Sequence, residues 1–152
     1  MKEFGYPYLG EPTDLQRRNL NRWITNLESD IFRQFRGALG NRFKNGNHSY
    51  CCLGLSIVVT PGLNFAEPVD DDERHLRGYQ PETGHQLYDA CVNNDDFESS
   101  FGLDSSFQNI LAEFNDSKKW NFKKIAAVLK DIRSKRGGKW NNYDEASKHF
   151  GL

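Results

Sequence analysis

Apolar positions keep a helical rhythm near both ends of the chain and lose it in the middle. Leu20, Trp23, Ile24 and Leu27 recur at i, i+3, i+4 and i+7, one stripe of an amphipathic helix. Arg17, Arg18, Asn21, Arg22 and Asn26 take the opposite face. Thr13 followed by Gln16 has the form of a capping box, with Asp14 at the end where the helix dipole favours an acid. Between 29 and 47, Ile31, Phe32, Phe35, Leu39 and Phe43 suit a short helix or an irregular packed segment. Gly37, Gly40, Asn45 and Gly46 break it. Residues 50–59 are one continuous apolar run, too short and uniform for periodicity to separate a buried helix from a buried strand. Ile57, Val58 and Val59 lean to strand, and Pro61-Gly62 ends the element.

Residues 64–84 read as a long irregular acidic loop, with a small hairpin around 76–79. Residues 85–93 can form a short helix with Leu87 and Cys91 on one face. The last third is helical. Ser105 with Gln108 repeats the capping-box pattern, and Phe107, Ile110, Leu111 and Phe114 form the stripe. Asn115-Asp116-Ser117 reads as a turn. Asn121 caps a further helix carrying Phe122, Ile125, Leu129 and Ile132, which Gly137-Gly138 stops. Residues 134–152 form a basic, aromatic tail in which Trp140, Tyr143, Ala146 and Phe150 are spaced for one more helix. The fold class is therefore mainly α, with α+β and a small hairpin as the variant: one compact, bundle-like domain over 1–152.

Length agrees. At 152 residues the chain can bury roughly 70% of the surface its unfolded form exposes, so it needs neither disulfide nor metal staples. The start has no apolar core of a signal peptide, and the longest apolar stretch, 51–59, is less than half of the roughly twenty residues a bilayer span requires. No membrane association is expected. A cytosolic location follows, with Cys51, Cys52 and Cys91 reduced. The net charge of −1 excludes a uniformly basic nucleic-acid coat protein but hides a strong asymmetry. Residues 67–98 hold ten acids against Arg74 and Arg77, whereas 118–139 hold nine bases against Asp131. Two segments that face each other or solvate the surface are the commoner outcome; a basic arm for an acidic partner is the sharper one.

Three stretches together resemble a known group of proteins. Residues 20–39 (LNRWITNLESDIFRQFRGAL) have its Trp, Leu, aromatic-x-Gln and Gly-x-Leu. YCCLGL at 50–55 is similar to its double-cysteine motif, and residues 103–129, containing LAEFNDSKKWNFKKIAAVL, to its closing Leu-x-x-Leu-Asn-Asp, Ser-Phe and Ile-Ala pattern. These are small bacteriophage and prophage proteins, generally without an assigned function. The likeness spans 20–132 in the same order. Ser56-Ile57 stands where a further cysteine often follows, and the tail from Arg133 has no counterpart. The resemblance implies a phage origin and a compact accessory protein acting in the host cytoplasm, and inclines 50–59 to helix. It supplies no catalytic residues.

Chemistry is sparse. Cys51 or Cys52 with His48, His75 or His85 forms the elements of a cysteine-dependent hydrolase or transferase, which needs a thiol of lowered pKa beside a base. Against this, a cysteine followed by Leu, Leu, Ile and Val reads first as a small core residue. Accordingly Cys52, Leu53, Leu55 and Val58 are expected in the core, anchoring the first helix through Trp23 and Leu27. Gly54 should lie close to Trp23 or to the Phe107 helix.

His48-x-x-Cys51 and His85-x5-Cys91 do not have zinc-site spacing, and Asp70-Asp71-Asp72-Glu73 lacks the glycine of a calcium loop. No metal or cofactor is expected. Lys123, Lys124, Lys130, Arg133, Lys135 and Arg136 are the candidate binding residues, for phosphates of a nucleic acid or another acidic partner. The leading reading is a non-enzymatic protein that binds a host protein or a small signalling molecule, and it is compatible with a homodimer.

Overall fold

In the computed structural model, described here for residues 4–37, 39–42, 48–65, 85–88, 92–134 and 138–152, helices dominate. They are α1 (Asp14–Glu28), α2 (Cys52–Val59), α3 (Asn94–Phe101), α4 (Phe107–Asp116), α5 (Phe122–Ser134) and α6 (Tyr143–His149). Three short strands, β1 (Gly40–Arg42), β2 (His48–Tyr50) and β3 (His85–Tyr88), form an antiparallel sheet in the order β2-β1-β3. The fold is mainly α. Among the described residues no helix is long and apolar enough to cross a membrane.

The first helix forms as its sequence dictates. Gln16 N–H donates to Thr13 Oγ1 at 3.2 Å, and Thr13 N–H donates to Gln16 Oε1 at 2.9 Å, so two otherwise orphaned donors satisfy each other's residues. Its stripe of Leu20, Trp23, Ile24 and Leu27 is buried against α2, α3 and α5. Trp23 is the hinge of this packing. Its ring meets Phe97 and Phe101 of α3, at centroid distances of 6.3 and 4.9 Å, while its Nε1–H donates to the Cys52 carbonyl at 2.9 Å. The expected anchoring of α1 by the double-cysteine segment thus includes a specific hydrogen bond.

Several expectations need correction. Residues 85–88 are strand, not helix: their backbone pairs with β1. The segment between α1 and α2 is irregular up to β1, and residues 33–35 run beside β2, where Phe35 N–H donates to Tyr50 O at 2.7 Å. The Ser105–Gln108 box does not form. Gln108 is buried, its Nε2 donates to Val92 O at 3.0 Å, and Asp104 Oδ1 instead accepts from Ser106 N–H at 2.9 Å. Asn115 and Asp116 complete α4 rather than a turn. Val58 is 40% exposed, because the far end of α2 reaches the surface, whereas Cys52, Leu53 and Leu55 are buried as expected. The tightest approach at Gly54 is to Leu39 rather than to Trp23 or α4: a Cβ there would collide with the Leu39 carbonyl. The hairpin expected at 76–79 and most of the acidic loop lie outside the described residues.

The ends of the chain meet. The amino-terminal arm bridges Tyr6 to Trp140 and Tyr8 to Leu103, so it is clasped between α3–α4 and the carboxy-terminal tail. The tail forms α6 at the spacing read from Trp140, Tyr143, Ala146 and Phe150.

Candidate functional site

The cysteine pair sits where β2 passes into α2. Cys51 is the N-cap of α2, its Sγ accepting from Gly54 N–H at 3.3 Å. Cys52 is fully buried and its thiol contacts the Leu111 carbonyl at 3.5 Å. Burial, then the neighbouring Cys51 and Asp116, push the Cys52 thiol well above its ordinary pKa. A nucleophile needs the opposite shift. His48 is exposed on β2, and its Nδ1 lies 3.0 Å from the Tyr50 hydroxyl. His48 and His85 both stand in register with Arg42, on the two outer strands of the sheet. His75 and Cys91 lie outside the described residues.

What the structure brings together around the cysteines is a polar knot at the edge of the core, centred on buried Asn115. Asn115, fully buried on α4, accepts at Oδ1 from Gln34 Nε2 (2.8 Å) and from the backbone N–H of Cys52 (3.2 Å). Its Nδ2 donates to Phe35 O (2.9 Å) and to Asp116 Oδ1 (2.8 Å). Asp116 Oδ1 also accepts from Gly37 N–H at 2.9 Å, and Gln34 Nε2 donates to Trp120 O at 2.8 Å. The aromatic-x-Gln, Cys-Cys and Asn-Asp elements of the sequence therefore converge on one hydrogen-bonded cluster. Its polar atoms bind each other and the backbone, which is what buried polar groups require. This is structural chemistry.

The basic segment is largely answered within the chain. Lys123 pairs with Asp30 (3.0 Å), Lys130 with Glu28 (3.1 Å) and Lys139 with Asp131 (2.6 Å). Lys124 lies over the Trp120 ring, 4.2 Å from its centroid. Lys135 and Arg136 lie outside the described residues. Among the described residues, the partners of these lysines are Glu28 at the end of α1, Asp30 just beyond it, and Asp131 of α5. Three acids of the acidic segment 67–98 serve α3: Asp95 and Asp96 occupy its first turn, and Glu98 Oε2 accepts from Ser105 N–H at 2.9 Å.

Arg133 differs from the other members of the basic set. It closes one side of a pocket of about 230 Å³ lined by Phe4, Tyr8, Pro12, Gln16, Arg17, Leu20, Asn21 and Phe101. The amino-terminal arm, one face of α1, the last turn of α3 and the last turn of α5 supply these residues. Phe4, Leu20 and Phe101 give the lining apolar surface, and Arg17 and Arg133 bring two guanidinium groups to it. Arg133 donates to Asn21 Oδ1 at 2.9 Å, while Tyr8 fixes the arm by donating its hydroxyl to the Ile132 carbonyl at 3.3 Å. The sequence reading marked Arg133 but missed Tyr8, Arg17 and the pocket, because the lining is gathered from four separated segments with no shared local spacing. No family model, curated protein or solved structure matches the chain.

Proposed function

We propose that this chain is a non-enzymatic accessory protein of phage origin, acting in the host cytoplasm by binding a host protein or small molecule. Its binding site is the Arg17–Arg133 pocket. The observation that carries the reading is the division of labour among polar groups. Those of the motif residues are turned inward and spent on one another, whereas the pocket keeps cationic and amide side chains at an open, partly apolar surface. Such a mixture of apolar walls and a few polar groups is the usual composition of a ligand site. The phage resemblance supports the origin and the setting.

Affinity capture from host lysate with the full chain, read by mass spectrometry for proteins and co-purifying small molecules, tests the reading. The captured species should be lost with Arg133→Gln and retained with Lys124→Gln. The cysteine-hydrolase alternative meets a separate test. Near neutral pH, iodoacetamide should leave Cys51 and Cys52 unmodified in the folded protein and modify both after denaturation, read peptide by peptide. Rapid labelling of the folded protein, together with hydrolysis of an ester, peptide or nucleotide that Cys51→Ala abolishes, would overturn the binding reading.

A further inference from the structure

We infer that the ligand of this pocket is a small organic monocarboxylate: one carboxylate carried on a compact apolar or aromatic body. The inference rests on the pocket being the binding site and adds the chemical class that it takes.

Charge complementarity comes first. Arg133 lies in the last turn of α5, and among the described residues its guanidinium has only the neutral Asn21 amide as hydrogen-bond partner. Most of its five donors are left for an incoming anion. Arg17 touches Glu11 at 3.4 Å and Asp14 at 3.3 Å. Both contacts are longer than the 2.7–2.9 Å typical of tight charge-assisted bonds. The two acids are 70% and 89% exposed, so these pairs hold Arg17 weakly and yield to a better-placed carboxylate. Both guanidiniums act on the same atom of the protein, the Tyr8 hydroxyl, where each favours ionisation against the burial that raises its pKa. Both guanidiniums thus bear on the lining of one pocket.

The same geometry limits the charge. Glu11 and Asp14 already pair with Arg17, so among the described residues Arg133 is the guanidinium of this pocket without an acidic partner, and one carboxylate answers it. A single carboxylate also matches the fork of a guanidinium. Size limits the rest. A cavity of about 230 Å³ has room for a small ring or a short chain. Phe4, Leu20 and Phe101 offer that body an apolar surface.

Calorimetric titration of the full chain tests this with four probes: phenylacetate, its neutral amide phenylacetamide, the dianion phenyl phosphate, and acetate. Phenylacetate should bind saturably. Phenylacetamide should bind about 10- to 100-fold more weakly, the worth of a charged hydrogen-bonding pair, and Arg133→Gln should weaken phenylacetate by a similar factor. Acetate and phenyl phosphate should both bind more weakly than phenylacetate, and Lys124→Gln should change nothing. Arg133 is exposed, so its replacement should leave the melting temperature near that of the parent. Should it not, Arg17→Gln carries the same comparison. Equal affinity for the amide, tighter binding of phenyl phosphate, or an unchanged affinity in Arg133→Gln overturns the inference. So does a failure of phenylacetate to bind; if Arg133→Gln still abolishes capture from lysate, only the ligand class falls, and if capture is unaffected the binding reading falls with it.

Discussion

Asn115 carries more hydrogen bonds than any local rule assigns to it. One side chain ties α4 to the N-terminus of α2 through Cys52 N–H, and to the segment before the sheet through Gln34 and Phe35 O. Truncating it removes the partner of the buried Cys52 N–H and of the Phe35 carbonyl, each costing about 1–3 kcal/mol, and breaks its bonds to Gln34 and Asp116. Asn115→Ala should therefore destabilise by about 3–5 kcal/mol, lowering Tm by roughly 10 °C or more. Chemical denaturation measures the first and calorimetry the second. A change below about 1 kcal/mol would mean that the knot is incidental. In the sequence the residue looked like part of a turn, since Asn-Asp-Ser is turn-forming chemistry. Its burial reverses that role.

At the scale of elements, α1 and α3 make an instructive pair. The capping box and apolar stripe of α1 were legible because both signals are local. The signals of α3 are local as well: Asn93 Oδ1 accepts from Asp95 N–H at 2.9 Å and Asp96 N–H at 3.3 Å, and Gly102 ends the helix at φ 70°. No helix is expected there from the apolar pattern, and Asp95, Asp96 and Glu98 count only within the acid-rich segment 67–98. Asn93→Ala should cost about 1 kcal/mol, a fall of a few degrees in Tm. Trp23 fluorescence should track the transition, because Phe97 and Phe101 of α3 pack on that ring. A melting temperature indistinguishable from the parent would show that tertiary packing alone holds α3. Helix α2 is the opposite case. Its composition suits helix and strand alike. Its first N–H groups are taken by Asn115 Oδ1, at Cys52, and by Cys51 Sγ, at Gly54, and these caps start a helix.

Across the whole molecule, the closure of the amino-terminal arm on the tail couples stability to alkaline pH. Tyr6 is buried, its hydroxyl 3.0 Å from Ser106 Oγ, and burial raises its pKa from 10.0 to about 12. The folded state thus holds this proton more tightly than the unfolded chain. That contribution is whole below pH 10 and is lost as pH rises to about 12. Tyr6→Phe should lower stability at neutral pH by about 1 kcal/mol, for the lost hydrogen bond, and reduce the alkaline loss. Tyr8 and Tyr50, also raised by burial, should keep part of that loss. Denaturant midpoints at neutral and alkaline pH would test this, and an alkaline loss unchanged by Tyr6→Phe would refute it.

Local pattern alone gave the mainly α class, the starts and buried faces of α1 and α5, and the core positions Trp23, Leu27, Cys52 and Leu55. Each of these follows from apolar period, capping chemistry or hydrophobicity within a few residues. That α2 is helix, that 85–88 is strand, that the motif residues converge on buried Asn115, and that Arg133 meets Arg17 and Tyr8 at a pocket came only with the tertiary structure. The physical reason is range. A cap, a strand partner and a pocket wall are supplied by residues tens of positions away, and their energies enter only when the chain has folded.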